Sequence, residues 1–275
     1  MELIKPLKLN NTSLINDNST VTSLDSFRIK ATDKIPSNVY VAKINQTKKF
    51  SRKNISAWLG KAKAKKTYAM TMLGSSLISG IDLYDIFYSY KKNKLVWIDT
   101  EQSPADAQKV AIRINKLVGN AENLFLYGLR PLSPNKRIEM IDKAIKQHKP
   151  DILIIDGVRD LVWNINDPVE STTVVTMIMK WSYDYDMHIA AVIHITKDGK
   201  ARGHIGTEIE NKSETVIRVT RDELDINIST IEEVFGRGKG FEPFKFYVNK
   251  EGLPEVGGVD LGNSFGGNDD DDTPF

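Results

Sequence analysis

The sequence predicts an α/β domain: a mainly parallel sheet flanked by helices, with antiparallel strands added on its C-terminal side. Three observations carry this. Short apolar runs alternate with amphipathic stretches from Val39 to His194. Asp151-Ile-Leu-Ile-Ile-Asp156 and His188-Ile-Ala-Ala-Val-Ile-His194 are continuously apolar between their polar ends, as strands buried on both faces of a parallel sheet are. After Thr215 the strand-like runs succeed one another with no long helical stretch between them, which calls for antiparallel neighbours.

Taken in order, residues 39–44 and 55–59 read as strands and residues 67–79 as a helix. Leu95-Val-Trp-Ile-Asp-Thr100 reads as a buried strand whose polar end reaches the rim of the sheet. Ser103-Pro104 and Ser133-Pro134 are helix starts, serine as N-cap and proline in the first position. Behind the first, Ala107, Val110, Ala111, Ile114, Leu117 and Val118 keep helical spacing; behind the second, Ile138, Ile141, Ala144 and Ile145 do. Residues 124–127 form a short strand between them. A third helix is expected over residues 168–186, with Val174, Val175, Ile178 and Trp181 inward. Strands are expected over residues 215–219, 226–234 and 244–248.

Residues 1–36, rich in Asn, Ser, Thr, Asp and Lys, read as a flexible arm, residues 37–256 as the domain, and residues 257–275 as a disordered acidic tail. The chain has no cysteine, which excludes disulfides, thiol catalysis and cysteine-based zinc sites, and its four histidines lack metal-ligand spacing. No apolar run is long enough for a signal peptide or a membrane span, so the expectation is a soluble cytoplasmic protein without membrane contact. The net charge of +2 hides an asymmetry: without the five aspartates of residues 260–275 the remainder carries +7. A basic body with an acidic tail is compatible with nucleic-acid binding, and equally with a solvated surface.

Gly60-Lys61-Ala62-Lys63-Ala64-Lys65-Lys66-Thr67, followed by Tyr68, lies between a strand and a helix. The phosphate-binding pattern in that context is G-x-x-x-x-G-K-[ST]: main-chain N–H groups and a lysine for phosphate oxygens, a hydroxyl for magnesium. Gly60, Lys66 and Thr67 match it; Lys65 stands where the pattern has glycine. If the loop needs positive φ there, lysine costs about 1 kcal/mol, and its side chain is placed to attract phosphate or to block it. The loop predicts ATP and Mg2+ as ligands. Asp156, ending an apolar strand, is the second candidate magnesium group beside Thr67. Glu101, just beyond the strand before it, is the candidate base for the attacking water, with Asp99 as competitor.

With these pieces in this order, residues 38–250 resemble the RecA-like P-loop ATPases, and within them the RepA-type and DnaB-type hexameric helicases. The resemblance implies that Glu101 is the catalytic base, that His194 senses the γ-phosphate, and that residues 196–206 face single-stranded DNA. It also implies an arginine supplied by a neighbouring subunit, for which Arg237, in Phe235-Gly-Arg237-Gly-Lys239-Gly, is the candidate; a ring or filament, typically a hexamer, follows. The first 36 residues are too short for a separate primase, zinc-binding or N-terminal helical domain, so none is expected within this sequence. The last residues, Asp269-Asp-Asp-Asp-Thr-Pro274-Phe275, are similar to the C-terminal tip of bacterial single-stranded DNA-binding proteins, which implies docking to replication proteins; the helix-rich body disfavours an OB-fold. The expected activity is ATP-dependent DNA processing, as a small helicase or translocase. Lys65 leaves open a slowly hydrolysing switch or loader, and the charge pattern an accessory single-strand binder.

Overall fold

The computed structural model describes residues 24–257; the start of the arm and the whole Asp269-to-Phe275 tip lie outside them. The chain divides into two units after Ser37. Among the described residues of the first, a 3-10 turn spans Leu24–Phe27, and the Lys30 N–H donates to the Asp33 carboxylate at 2.7 Å.

The second unit contains, in order, β1 (Tyr40–Ile44), β2 (Thr47–Ser51), β3 (Ile55–Gly60), α1 (Lys66–Ser79), β4 (Phe87–Ser89), β5 (Leu95–Asp99), α2 (Pro104–Val118), β6 (Leu124–Gly128), α3 (Pro134–His148), β7 (Ile152–Asp156), α4 (Pro168–Asp184), β8 (His188–His194), α5 (Gly203–Lys212), β9 (Thr215–Arg221), β10 (Ile228–Gly236), β11 (Phe244–Val248) and β12 (Pro254–Val256). A nine-stranded sheet runs in the order β12-β11-β10-β9-β3-β8-β7-β5-β6. From β9 to β6 all neighbours are parallel, and β10, β11 and β12 are added antiparallel. This is the α/β architecture that the apolar runs predict. Strand 39–44, by contrast, leaves the main sheet and joins β2 and β4 in a three-stranded antiparallel sheet.

Period-two alternation decides which face each residue covers. Ile152 and Ile154 of β7 pack with Trp58, Trp97, Val110 and Ile114 against α1 and α2. Leu153 and Ile155 face the other way, with Ile141, Val174, Ile178 and Ile205 of α3, α4 and α5. Both faces are covered, so β5 and β7 carry no polar residue until their final aspartates. The helix starts hold with one exception. Ser103 caps α2 by accepting from the Asp106 N–H, whereas Ser133 makes no side-chain cap bond and Pro134 alone fixes the entry to α3. Two further expectations are corrected. Helix α4 ends at Asp184, two residues early, where the chain turns through positive φ at Asp186. Residues 203–206, expected to belong to a DNA-facing loop, are the first turn of α5, because Ile205 and Gly206 are buried against Ile193 and Ala201.

A buried ion pair joins the small sheet to the far end of the large one. Lys49 of β2, 2% exposed, donates to Glu233 of β10 at 2.7 Å and to the Lys239 carbonyl at 2.9 Å. Glu233 also accepts the Phe241 N–H at 3.2 Å, so the β10–β11 connection is folded around this pair. Removing one partner leaves an uncompensated buried charge. Glu233→Ala is therefore expected to cost about 3 kcal/mol in urea unfolding, and the apolar double variant Lys49→Met/Glu233→Leu to recover most of it. A double variant no more stable than Glu233→Ala would contradict this account.

Candidate functional site

The carboxyl ends of the parallel strands gather the polar residues. Strand register sets Gly60 beside His194 and Asp99 beside Asp156, so β3, β8, β7 and β5 deliver their terminal residues to one rim. Between β3 and α1 the loop from Gly60 to Lys65 turns back on itself. Gly60 is held so close to β9 that a Cβ there would lie 2.6 Å from the Val219 carbonyl oxygen. Lys61, Ala62 and Lys63 are exposed and Ala64 is buried. Lys65 adopts φ 66° and ψ 31°, the left-handed conformation for which the pattern keeps glycine. The loop thus takes its shape despite the substitution. Tyr68, one turn into α1, lies under the Arg113 guanidinium of α2 at 4.3 Å.

Lys66 is the cation of the site. Its Nζ donates to the carbonyls of Gly60 (2.9 Å) and Lys61 (3.1 Å) and lies 3.1 Å from Nδ1 of His194. An ammonium has only protons to give, so His194 accepts at Nδ1 and its Nε2–H donates to Glu101 Oε2 at 3.1 Å. Burial lowers the Lys66 pKa, an effect opposed by Asp156 and Glu101. The hydrogen bond from His194 lowers that of Glu101 against the opposing effect of burial, helped by attraction to His194, Lys66 and Arg159.

Thr67 donates from Oγ1 to Asp156 at 2.9 Å. Asp156 is buried, and desolvation, with the charges of Asp99 and Glu101, pushes its pKa up to about 7. Asp99 is buried as well, and burial raises its pKa too. Its oxygens accept the main-chain N–H groups of Glu101 (3.0 Å) and Gln102 (2.8 Å) and the Gln102 side chain (2.6 Å). Asp99 is therefore occupied in shaping the turn that carries Glu101, and Glu101 is the carboxylate that reaches the cleft. Gly157, at φ 104°, lets the two strand ends meet: a Cβ there would fall 2.2 Å from Thr100 Oγ1 and 2.9 Å from Glu101 Cγ.

Lys66, Thr67, Asp156, Glu101 and His194 are thus brought together. Arg237 is not among them. Strand β10 runs antiparallel, so Gly236 pairs with Thr215 at the start of β9, and the Arg237 N–H bonds the Glu214 carbonyl at the opposite end of the sheet from the loop. Four residues that no sequence spacing links also face the site. Arg130, Arg137, Arg159 and Arg202 line a cleft of about 520 Å³ with Ala62, Thr100, Glu101, Asp160 and His194. Arg137 is a brace, donating to the carbonyls of Leu129, Asp160 and Arg130. Arg159 lies 4.0 Å from the Asp160 carboxylate, and its Nε is buried with no hydrogen-bond partner. These arginines leave the chain after β6, in α3, after β7 and after β8; only the order of the sheet assembles them.

The residues present fit a magnesium nucleotide. Among the described residues no group of three or more His, Asp or Glu side chains is arranged to hold a metal by itself. One hydroxyl and one buried, cation-poor carboxylate are the protein's share for Mg2+, an ion that keeps water and phosphate as its other ligands. Also among the described residues, no helix is long and apolar enough to cross a membrane. The family model described as AAA domain matches residues 45–200, more than half of the chain. No curated protein matches the sequence.

The raised pKa of Asp156 has a consequence for stability. Between the ordinary carboxylate range and about pH 7 the folded chain keeps a proton that the unfolded chain has lost, so this group's stabilising contribution is full at low pH and disappears as pH rises to about 7. Asp156→Asn should therefore raise the thermal midpoint at pH 8, in magnesium-free buffer, by about 2–4 °C, the equivalent of about 1 kcal/mol. The gain should be smaller at pH 5, where the folded chain still holds the proton. Thermal unfolding at the two pH values checks this, and a midpoint lowered at pH 8 would refute it.

Proposed function

The chain belongs to the AAA-domain family, and from that premise we propose that it is a magnesium-dependent ATPase that works on single-stranded DNA as a small helicase or translocase. The observation that carries the nucleotide half is the connected set Thr67–Asp156 and Lys66–His194–Glu101, with hydrogen bonds of 2.9 to 3.1 Å. ATP is the substrate of the loop from Gly60 to Thr67, with Tyr68 beginning the helix behind it. Lys66 moves from the Gly60 and Lys61 carbonyls to the phosphate oxygens, exchanging dipoles for charges. Thr67 and Asp156 hold Mg2+, which neutralises charge on the phosphates when bound. Glu101 orients water for in-line attack, and its depressed pKa keeps it ionised for that role. His194, hydrogen-bonded to both Lys66 and Glu101, is the group that feels whether Lys66 has been drawn away.

The DNA half rests on the basic cleft. Arg130, Arg159 and Arg202 border Glu101 and His194 and offer guanidinium groups to backbone phosphates, which a strand presents irrespective of sequence. Arg237 lies too far from its own loop to serve it, so the reading assigns it, with Lys239, to the site of a neighbouring subunit in a ring or filament, in the hexameric form the resemblance suggests. The acidic tip ending in Phe275 is assigned to docking on replication proteins. One observation favours a slower enzyme: Lys65 keeps the left-handed conformation at a cost of about 1 kcal/mol, which suits a nucleotide switch or loader as well as a motor.

Steady-state ATP hydrolysis with Mg2+, with and without single-stranded DNA, tests the reading. DNA should raise the rate, and Glu101→Gln should lower it by about 10²–10⁴-fold. A rate unaffected by DNA would remove the motor; a rate unaffected by Glu101→Gln would remove the assigned base. The trans role of Arg237 has its own test. Arg237→Ala and Lys66→Ala chains should each be inactive alone and regain activity on mixing, because the mixture contains interfaces with an intact loop facing an intact arginine. Mixtures as inactive as their components would place Arg237 outside catalysis.

A further inference from the structure

Lys65 departs from the phosphate-binding pattern, yet its side chain does not fill the loop. Its Nζ donates to the main-chain carbonyl of Ile226, in the turn between β9 and β10. Burial and the neighbouring Arg221 lower its pKa, with Asp225 opposing them. The turn is held firmly. Asp222 accepts the Leu224 and Asp225 N–H groups at 3.0 and 3.2 Å and the Lys245 ammonium at 3.3 Å, and Asp225 accepts the Asn227 N–H at 2.7 Å. At its tip this turn presents two aliphatic side chains to solvent, Leu224 at 98% and Ile226 at 62% exposure. An occupant that covered them would remove this apolar surface from water.

The sheet order says what that is. Strand β3 lies between β8 and β9, while Glu101, Asp156 and His194 stand at the ends of β5, β7 and β8, all on the β8 side. A nucleotide on the loop with its terminal phosphate toward those three groups must lay its nucleoside the other way, across the end of β3 toward β9 and its turn. We infer that the β9–β10 turn is the nucleoside wall of the site, with Leu224 and Ile226 covering the base, and that Lys65 is the positioning residue strapping this wall to the phosphate loop. The inference rests on the nucleotide reading proposed above. It also states a specificity. Aliphatic side chains have no donor or acceptor with which to read a base edge, so they hold adenine and guanine nearly alike. The lysine in place of glycine then has a use: the strained position gives a side chain that reaches the turn, which glycine cannot supply.

Isothermal titration calorimetry of the full chain with Mg2+ would compare ATP, GTP and inorganic tripolyphosphate, which has the phosphates but no nucleoside. The wild type should bind ATP and GTP with similar affinity and both more tightly than tripolyphosphate. Leu224→Ser/Ile226→Ser should weaken both nucleotides about tenfold and leave tripolyphosphate unchanged. Lys65→Gly should shrink the advantage of ATP over tripolyphosphate by a similar factor, although glycine relieves the left-handed backbone and raises the melting temperature. Lys65→Arg, which keeps a donor of similar reach, should restore that advantage. An advantage unchanged in the double variant overturns the wall, and one unchanged in Lys65→Gly overturns the strap. A wild type that binds neither ATP nor tripolyphosphate refutes the nucleotide site itself, and the inference falls with it.

Discussion

The site depends on one buried ammonium. Parallel strands of equal register bring Asp99 and Asp156 side by side below the surface, with Glu101 just above them. Burial raises the pKa of both aspartates; the nearby like charges add to this, Asp99 and Glu101 at Asp156 and Glu101 at Asp99. Lys66 is the cation that faces them, itself pushed toward neutrality by burial and supported by Asp156 and Glu101. Lys66 favours the ionised forms of Asp156 and Glu101 and is favoured by them, while the carboxylates oppose one another's ionisation. Asp156 is thus under-compensated: Asp99 and Glu101 crowd it, Lys66 is the cation that attracts it, and the arginines of the cleft border Glu101 instead, a balance that favours an added divalent cation at Asp156.

The same economy explains the glycines. Gly60 and Gly157 stand where neighbouring backbone or side chains leave no room for a Cβ, and Gly157 in addition needs positive φ. Lys65 also adopts positive φ, but its side chain leaves the loop for a partner in the β9–β10 turn. Sterics are therefore absolute at the first two positions and only a modest conformational preference at the third. This is why a lysine is tolerated at a position where the pattern has glycine, while the chain keeps glycine at 60 and after Asp156.

Charge is handled differently at the other end of the sheet. There Lys49 and Glu233 pair one to one, with remaining hydrogen-bonding capacity taken by the main chain of residues 239 and 241. Nothing is left over to recruit a ligand. The contrast between a closed pair at one end of the strands and an unbalanced cluster at the other marks which end does chemistry, and it leaves Arg237 on the closed end, turned away from its own loop.

By itself the sequence determined the elements and most of the site. Strands such as 152–156 are legible because burial on both faces demands unbroken apolar residues, and helix starts because Ser103-Pro104 satisfies local N–H groups with local atoms. As candidates, Gly60, Asp156 and His194 were legible because each ends a strand that the apolar pattern locates, Glu101 because it follows such an end, and Lys66 and Thr67 because they open the helix after the loop. Tertiary structure decided what depends on partners distant in sequence. The first strand's departure into a second sheet is settled by its pairing with β2 and β4, the helix at residues 203–212 by burial that no local pattern announces, and the tie from Lys65 to Ile226 by a contact across 161 residues. The arginine cleft is the clearest case: Arg130, Arg159 and Arg202 come from three separate connections, and only the sheet order β8-β7-β5-β6 makes them neighbours.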